Sequence, residues 1–313
     1  MGTDALSTAF LIAALCACVM GFAIQRGATC TVAAVDEWVR TKKSTRLVAM
    51  IEASIWVAGG LLVARQFQFQ GHSFTGYNLT FATVLGAMLL GMGALVNRAC
   101  VFGAVARIGN GEWAFAATPV GFYLGCQLVN YFAVPAPMVL PVSESLVLNS
   151  ANWLVWPFLL FLVWRGYGFL QDLKRRKPLW SPHVATLVIG VTFFLTWQLA
   201  GAWAYTELLA DLASKMAKQT TARLFFAVAL LLGAILGGWT SGKLSHRMPS
   251  IKDSMRCLAG GFLMGCGGLL IPGGNDGLVL LGMPLLLPYA WVAFATMCLT
   301  IATGLLVASR RAA

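Results

Sequence analysis

The chain reads as a series of apolar runs separated by short polar stretches. Windows of about twenty mostly apolar residues, the length that crosses a bilayer, fall at roughly 5–24, 47–65, 79–97, 113–133, 152–170, 181–203, 222–240, 255–271 and 287–308. Nine spans are predicted. Among them lie three shorter pieces at 28–36, 99–108 and 275–284, Gly-rich, too short to cross and too apolar for exposed loops. Irregular backbone at membrane depth is tolerated only where protein buries it or where it lines a cavity. The expected fold is therefore an all-α polytopic membrane protein of about nine transmembrane helices with short re-entrant half-helices.

Composition agrees. Of 313 residues, 59% are hydrophobic and 11% charged, with a mean hydropathy of +0.78, whereas soluble domains carry roughly 25% charged residues. The net charge of +11 would suggest nucleic acid in a soluble protein, but no basic patch is interleaved with aromatics. Instead 18 of the 22 Lys and Arg residues fall in alternate loops. That bias predicts an external N-terminus and a cytoplasmic C-terminus, and explains "KRRK" (Lys174–Lys177) as a topology signal. The first run starts near Ala5 with no basic residue before it and is long enough to span, so it is expected to remain as a helix and not be cleaved.

An internal repeat adds to this picture. "GMGALVNRACVFG" (Gly91–Gly103) lies over "GCGGLLIPGGNDG" (Gly265–Gly277) without a gap, each beginning near the end of a span. Matching span three to span eight pairs spans 1–4 with spans 6–9 and leaves span five as a crossover. The pseudo-repeats would cover about 1–135 and 180–313 of a single transport domain. The paired spans start on opposite sides, so the repeat would be inverted, an arrangement of secondary transporters whose sites lie where broken helices meet.

Candidate chemistry gathers at the breaks. Of eight cysteines, none forms a C-x-x-C pair or a zinc spacing, so neither a disulfide framework nor a metal or cofactor site is expected. Most sit in smooth spans, where cysteine is an ordinary small apolar residue. Cys30 and Cys100 differ, because each follows an arginine (Arg26, Arg98) within a Gly/Ala-rich break. The arginines are either inner-leaflet anchors or groups that attract an anion. In "IPGGNDG" Pro272 ends a span, Gly273 and Gly274 permit a tight turn, and Asn275 or Asp276 is positioned to cap the short helix that follows. Cys266, just before that break, belongs either to the cavity wall or to the core. Glu52, an acid deep in a span, is expected to pair with Arg26 or Arg98, or to carry protons.

"GFAIQRGATCTVAAVDEWV", "NRACVFGAVARIGNG" and "LAGGFLMGCGGLLIPGGNDG" together resemble the YeeE/YedE family of bacterial sulphur-compound transporters. The resemblance implies uptake of thiosulfate across the plasma membrane of a bacterium, not catalysis, through an hourglass whose constrictions meet near the middle. It also implies a cysteine-lined path in which Cys30 and Cys100 match the first two motif cysteines. A third family cysteine falls at Gly274, eight residues after Cys266. A small cytosolic TusA-like sulfur carrier is an implied partner; the others are membrane lipid and the anion itself, with no nucleic acid.

The substrate's chemistry suits those residues. Oxygens of a dianion need strong donors such as Arg and helix N-termini. The soft terminal sulfur suits a weak thiol contact, and thiols that stay protonated would not repel the ion. The alternative from another class is an intramembrane enzyme that passes sulfane sulfur or electrons between cysteines, which would need two of them close enough to bridge.

Overall fold

In the computed structural model, residues 7–69, 76–132, 139–140, 145–174, 179–214, 220–271 and 273–312 are described. Pro272, most of the KRRK run (175–177) and the start of the first predicted span lie outside them.

The chain is an all-α polytopic membrane protein. In order it forms α1 (Thr8–Arg26), α2 (Thr31–Thr41), α3 (Thr45–Gln66), α4 (Phe81–Asn97), α5 (Val101–Gly109) and α6 (Ala117–Tyr131). A four-residue helix α7 (Leu146–Asn149) and the long α8 (Ala151–Lys174) follow. Then come α9 (Pro182–Ala200), α10 (Tyr205–Ala213), α11 (Thr220–Thr240), α12 (Ile251–Leu270), α13 (Asn275–Gly277, continuing as a π-helical turn over Leu278–Gly282) and α14 (Pro288–Ala312). One two-residue antiparallel pairing, Gly76–Tyr77 with Val139–Leu140, joins two connections.

Every predicted span is a helix, but not every one passes as a span alone. Among the described residues seven segments are long and apolar enough to cross a membrane. Two of them are broken helices, α1 with α2 (Thr8–Thr41) and α4 with α5 (Phe81–Gly109). An eighth is α12 joined to α13 across a 49° bend. The predicted fourth span is divided between a 3-10 turn at Trp113–Ala116 and the 15-residue α6. The three predicted short pieces appear as α2, α5 and α13. The unforeseen one is α10, which lies just beyond the predicted sixth span (181–203), in a stretch read as connection.

With α10 in place the two halves share one order, long, short, long, long, short, long, on either side of α7 and α8. Contacts are mirrored too. α1 packs on α11 as α9 packs on α3, α12 on α6 as α4 on α14, and α2 on α14 as α10 on α6. One joint between the halves is the α4–α12 crossing, where glycines bring backbones together. A Cβ on Gly93 would lie 2.6 Å from Gly260 O, and one on Gly260 2.8 Å from Gly93 O. Gly86 and Gly267 stand in the same reciprocal relation. In hydrocarbon such close approach is what drives association, because lipid tails are as apolar as the side chains they would replace.

α8 is set apart. It packs mainly on α3, with Trp56 against Phe158 and Phe161 at ring-centroid distances of 6.0 and 5.3 Å. Its other faces expose Trp153, Leu160 and Val163, as a lipid-facing helix does. Glu52 explains how it is held. The buried carboxylate of α3 accepts from Arg165 Nη2 of α8 at 2.8 Å and meets His183 Nδ1 of α9 at 2.9 Å. The expected partners Arg26 and Arg98 are not its partners, because this face of α3 is turned to the crossover helix.

Leucine in place of Gly93 should therefore push α4 off α12. The expected cost is about 1–3 kcal/mol or more, read as a lowered thermal midpoint of detergent-solubilised protein. Gly166→Ala, in α8 where an added Cβ meets nothing within 4 Å, should leave the midpoint unchanged or slightly raised.

Candidate functional site

Four helix breaks define the centre: 27–30, 98–100, 201–204 and 271–274. At each the chain leaves a helix through a left-handed residue, Ala28 (φ 48°), Arg98 (φ 61°), Gly201 (φ 96°) and Gly273 (φ 127°). Non-glycine residues pay roughly 1–2 kcal/mol for that conformation, so the first two breaks are strained. Three of the exits close with a backbone N–H reaching the carbonyl five residues back: Thr29 to Ile24 (3.1 Å), Ala99 to Ala94 (3.1 Å) and Gly273 to Gly268 (2.8 Å). Terminal carbonyls are thereby satisfied. Buried Asn97 braces the second break, donating to Ala99 O at 2.8 Å and accepting from Thr118 Oγ1 at 3.0 Å.

The next half-helix then starts on an extended residue, Cys30, Cys100, Ala204 or Gly274. None of these caps its own helix with a side chain. The opening N–H groups at the breaks find partners on neighbouring half-helices. Thr31 N of α2 donates to Cys100 Sγ, the residue opening α5, at 3.1 Å. Thr206 N of α10 donates to Asp276 Oδ2 of α13 at 3.0 Å, and the Thr206 hydroxyl donates to Oδ1 of the same carboxylate. Gly274 N donates to Thr206 Oγ1 at 2.9 Å. Asn275 Nδ2 reaches Thr31 Oγ1 at 3.4 Å and links the two halves. Asp276 therefore does not cap the short helix that follows, as expected from the sequence, but closes α10 instead. Its carboxylate projects sideways onto α10, while its own helix opens with Gly274.

The thiols predicted from sequence are brought together. Cys30 Sγ and Cys100 Sγ stand 3.8 Å apart, Cys100 fully buried and Cys30 partly exposed. Gly103 makes room for them, since a Cβ there would fall 2.5 Å from Cys30 Sγ. Beside Cys30 a slot of ≈ 10 Å³ is lined by Gly27–Cys30 and Arg46. A second of the same size lies between α5 and α10, bordered by Val101, Ala204, Tyr205 and Asp276. Each holds about one water molecule. Thr29 Oγ1 and Asn275 Oδ1 are buried at this crossing without a hydrogen-bond partner, which leaves polar capacity for a guest.

The remaining candidates go elsewhere. Cys266 Sγ lies 3.5 Å from Gly125 O, and Cys126 Sγ 3.4 Å from Gly265 O. Helix phase thus turns Cys266 into the α6–α12 seam, a direction its sequence neighbours do not reveal. Arg26 lies over the Phe22 ring at 5.4 Å. Arg98 faces a wide cavity with Arg107, Arg247 and Arg256, so the two arginines are not paired. Thr31, Thr206 and Ala204 were not singled out from the sequence. The signal existed: at the 174-residue offset that superposes the glycine motif, "GATC" (27–30) lies over "GAWA" (201–204).

That offset also places Ala204 opposite Cys30 and Gly274 opposite Cys100. Gly274 has a steric reason, because its Cβ would meet Thr206 Cγ2 at 2.5 Å and Oγ1 at 2.7 Å. Chemically, α2 and α5 bring partially positive N-terminal ends to the crossing, the α10 end is already taken by the Asp276 carboxylate, and the thiols present soft, weak donors.

Comparison with known proteins bears on what the crossing is for. A family model described as sulphur transport matches residues 26–303. The chain is also similar to a thiosulfate transporter, TsuA, of Escherichia coli (strain K12), at 22% identity, covering 93% of this chain and 92% of the relative.

A thiol at position 274 should not be accommodated as it stands. Gly274→Cys is expected to cost about 1–3 kcal/mol by overpacking, and Thr206→Ala, which by itself strips Asp276 and Gly274 N of a partner, should cost less on the Gly274→Cys background than on the parent. Thermal midpoints of the single and double variants check this; additive losses would count against the contact.

Proposed function

Because the chain belongs to the sulphur transport family, we propose that it carries thiosulfate into a bacterial cell across the plasma membrane, by way of the crossing where Cys30 meets Cys100. The observation that carries this reading is the pair of thiols 3.8 Å apart among half-helix openings and unpartnered polar groups. The name of the Escherichia coli relative supports thiosulfate as the ion. The mirrored contacts of the halves support an inverted repeat, and the Lys/Arg bias supports an external N-terminus and a cytoplasmic C-terminus.

The arrangement suits the ion's two ends. Its oxygens are drawn by half-helix N-termini and by Arg98 beyond the break, and its terminal sulfur rests against protonated thiols. Weak contacts let the ion leave as well as enter. The first step displaces the Thr31 N–H from Cys100 toward the substrate, exchanging a weak sulfur acceptor for a charged one. Moving two negative charges into a negative interior costs about 4.6 kcal/mol per 100 mV. Removal of the ion inside, by a sulfur carrier of the TusA type, supplies the pull.

The same 3.8 Å contact favours a second reading, transfer of sulfane sulfur between the two cysteines. Uptake of labelled thiosulfate into proteoliposomes under reducing conditions separates them. The parent and Cys18→Ala should accumulate label, and Cys30→Ala and Cys100→Ala should each lose about tenfold or more, the equivalent of ~1.4 kcal/mol. Undiminished uptake by both thiol variants would sink the path. A persulfide or a Cys30–Cys100 disulfide accumulating during turnover, seen by mass spectrometry, would favour the second reading.

A further inference from the structure

Arg98 stands at the mouth of a cavity unlike the narrow central slots. It measures ≈ 280 Å³, against ≈ 10 Å³ for each central slot. Four arginines line it, Arg98 from the end of α4, Arg107 from α5, Arg247 from the loop before α12 and Arg256 from α12 itself. Two carboxylates, Glu112 and Asp253, stand among them.

Those carboxylates are already engaged. Glu112 takes Arg107 Nη1 with both oxygens, at 2.9 and 3.1 Å. Asp253 holds Arg256 Nη1 at 2.9 Å and accepts from Ser250 Oγ at 2.7 Å. Among the described residues the guanidiniums of Arg98 and Arg247 have no hydrogen bond or ion pair, and Arg256 Nε is buried without a partner. Four positive charges against two negative ones leave the chamber an excess of two.

Arg247 is held there by the fold. The loop that carries it is strapped along the turn after α5, with Ser245 N donating to Asn110 O at 2.9 Å and Arg247 N to Gly111 O at 3.2 Å. His246 stacks on Trp113 at 6.1 Å. Gly111, at φ 80°, lets the strands touch, since a Cβ would lie 2.3 Å from Ser245 O. A loop carrying arginines only to satisfy membrane topology has no need of such a clamp.

We propose that this chamber is a second binding site, which receives a divalent tetrahedral oxyanion, thiosulfate in transport, after it passes the thiols. The chamber adjoins the crossing along the chain, because Arg98 stands two residues before Cys100. Guanidinium suits the role, presenting planar forks of donors to oxyanions, and a doubly charged ion matches the excess charge. The role as exit station rests on the transport reading and its orientation; the binding itself does not.

Equilibrium dialysis of the purified full-length protein with labelled sulfate, an oxyanion without the soft sulfur, tests the binding at low ionic strength. The parent should bind, Arg247→Gln should weaken binding roughly tenfold or more, and Arg247→Lys should recover part of it. Arg256→Gln should weaken it likewise, and monodisperse elution of each variant guards against misfolding. No binding by the parent, or equal binding by parent and both Gln variants, overturns the proposal. Displacement of sulfate by short-chain phosphatidic acid but not by thiosulfate also overturns it, because the occupant would then be a lipid headgroup. Thiosulfate uptake by the parent, measured alongside, tests transport independently of binding. Failure there with sulfate binding intact would overturn the transport reading and leave the chamber standing.

Discussion

A helix that stops inside a membrane must find partners for the groups it exposes, because hydrocarbon supplies none. Among the described residues this chain stops four times, and at three of the breaks another segment supplies the partner. The Cys100 thiol closes the opening of α2, the Asp276 carboxylate closes α10, and Thr206 closes the turn into α13. Each half-helix is thus a condition for its neighbour. The order of spans, the glycine joints and the backbone strain at Ala28 and Arg98 all serve to bring four openings to one place.

The borrowed caps are not equal in strength. A carboxylate with two donors from one residue is a firm closure, and sulfur accepting a single N–H is a weak one. The half carrying Thr206 and Asp276 is accordingly the fixed side of the crossing, and the half carrying Cys30 and Cys100 the side where a donor is released at small cost. The two halves share an order of helices and mirrored contacts, and they differ where Ala204 stands at the offset of Cys30 and Gly274 at that of Cys100.

Much of this was legible in the sequence. Runs of hydrophobicity marked the spans, and the breaks around Cys30, Cys100 and Gly274 stood out because glycine and charge interrupt them. α10 was hidden, because Ala202 and Trp203 carry the apolar run to 203, through a turn at Gly201 (φ 96°), and mask the break before it. Partners distant in sequence were hidden for another reason. Glu52 meets residues 113 and 131 positions away, and the direction of Cys266 depends on helix phase against α6. The arginine chamber joins 98–113 with 247–256, two stretches that each look like ordinary positive flanks of a span.

The glycine crossing of α4 and α12 has an evolutionary consequence. Gly93 and Gly260 press on one another, as do Gly86 and Gly267, so a side chain gained on one helix is felt at once by the other. The two halves cannot drift apart at this joint as separate lineages would. Each helix is in that sense the other's selective environment. The glycines shared at Gly86 and Gly260, and at Gly93 and Gly267, at a spacing of 174 residues, are where a common origin would stay visible longest.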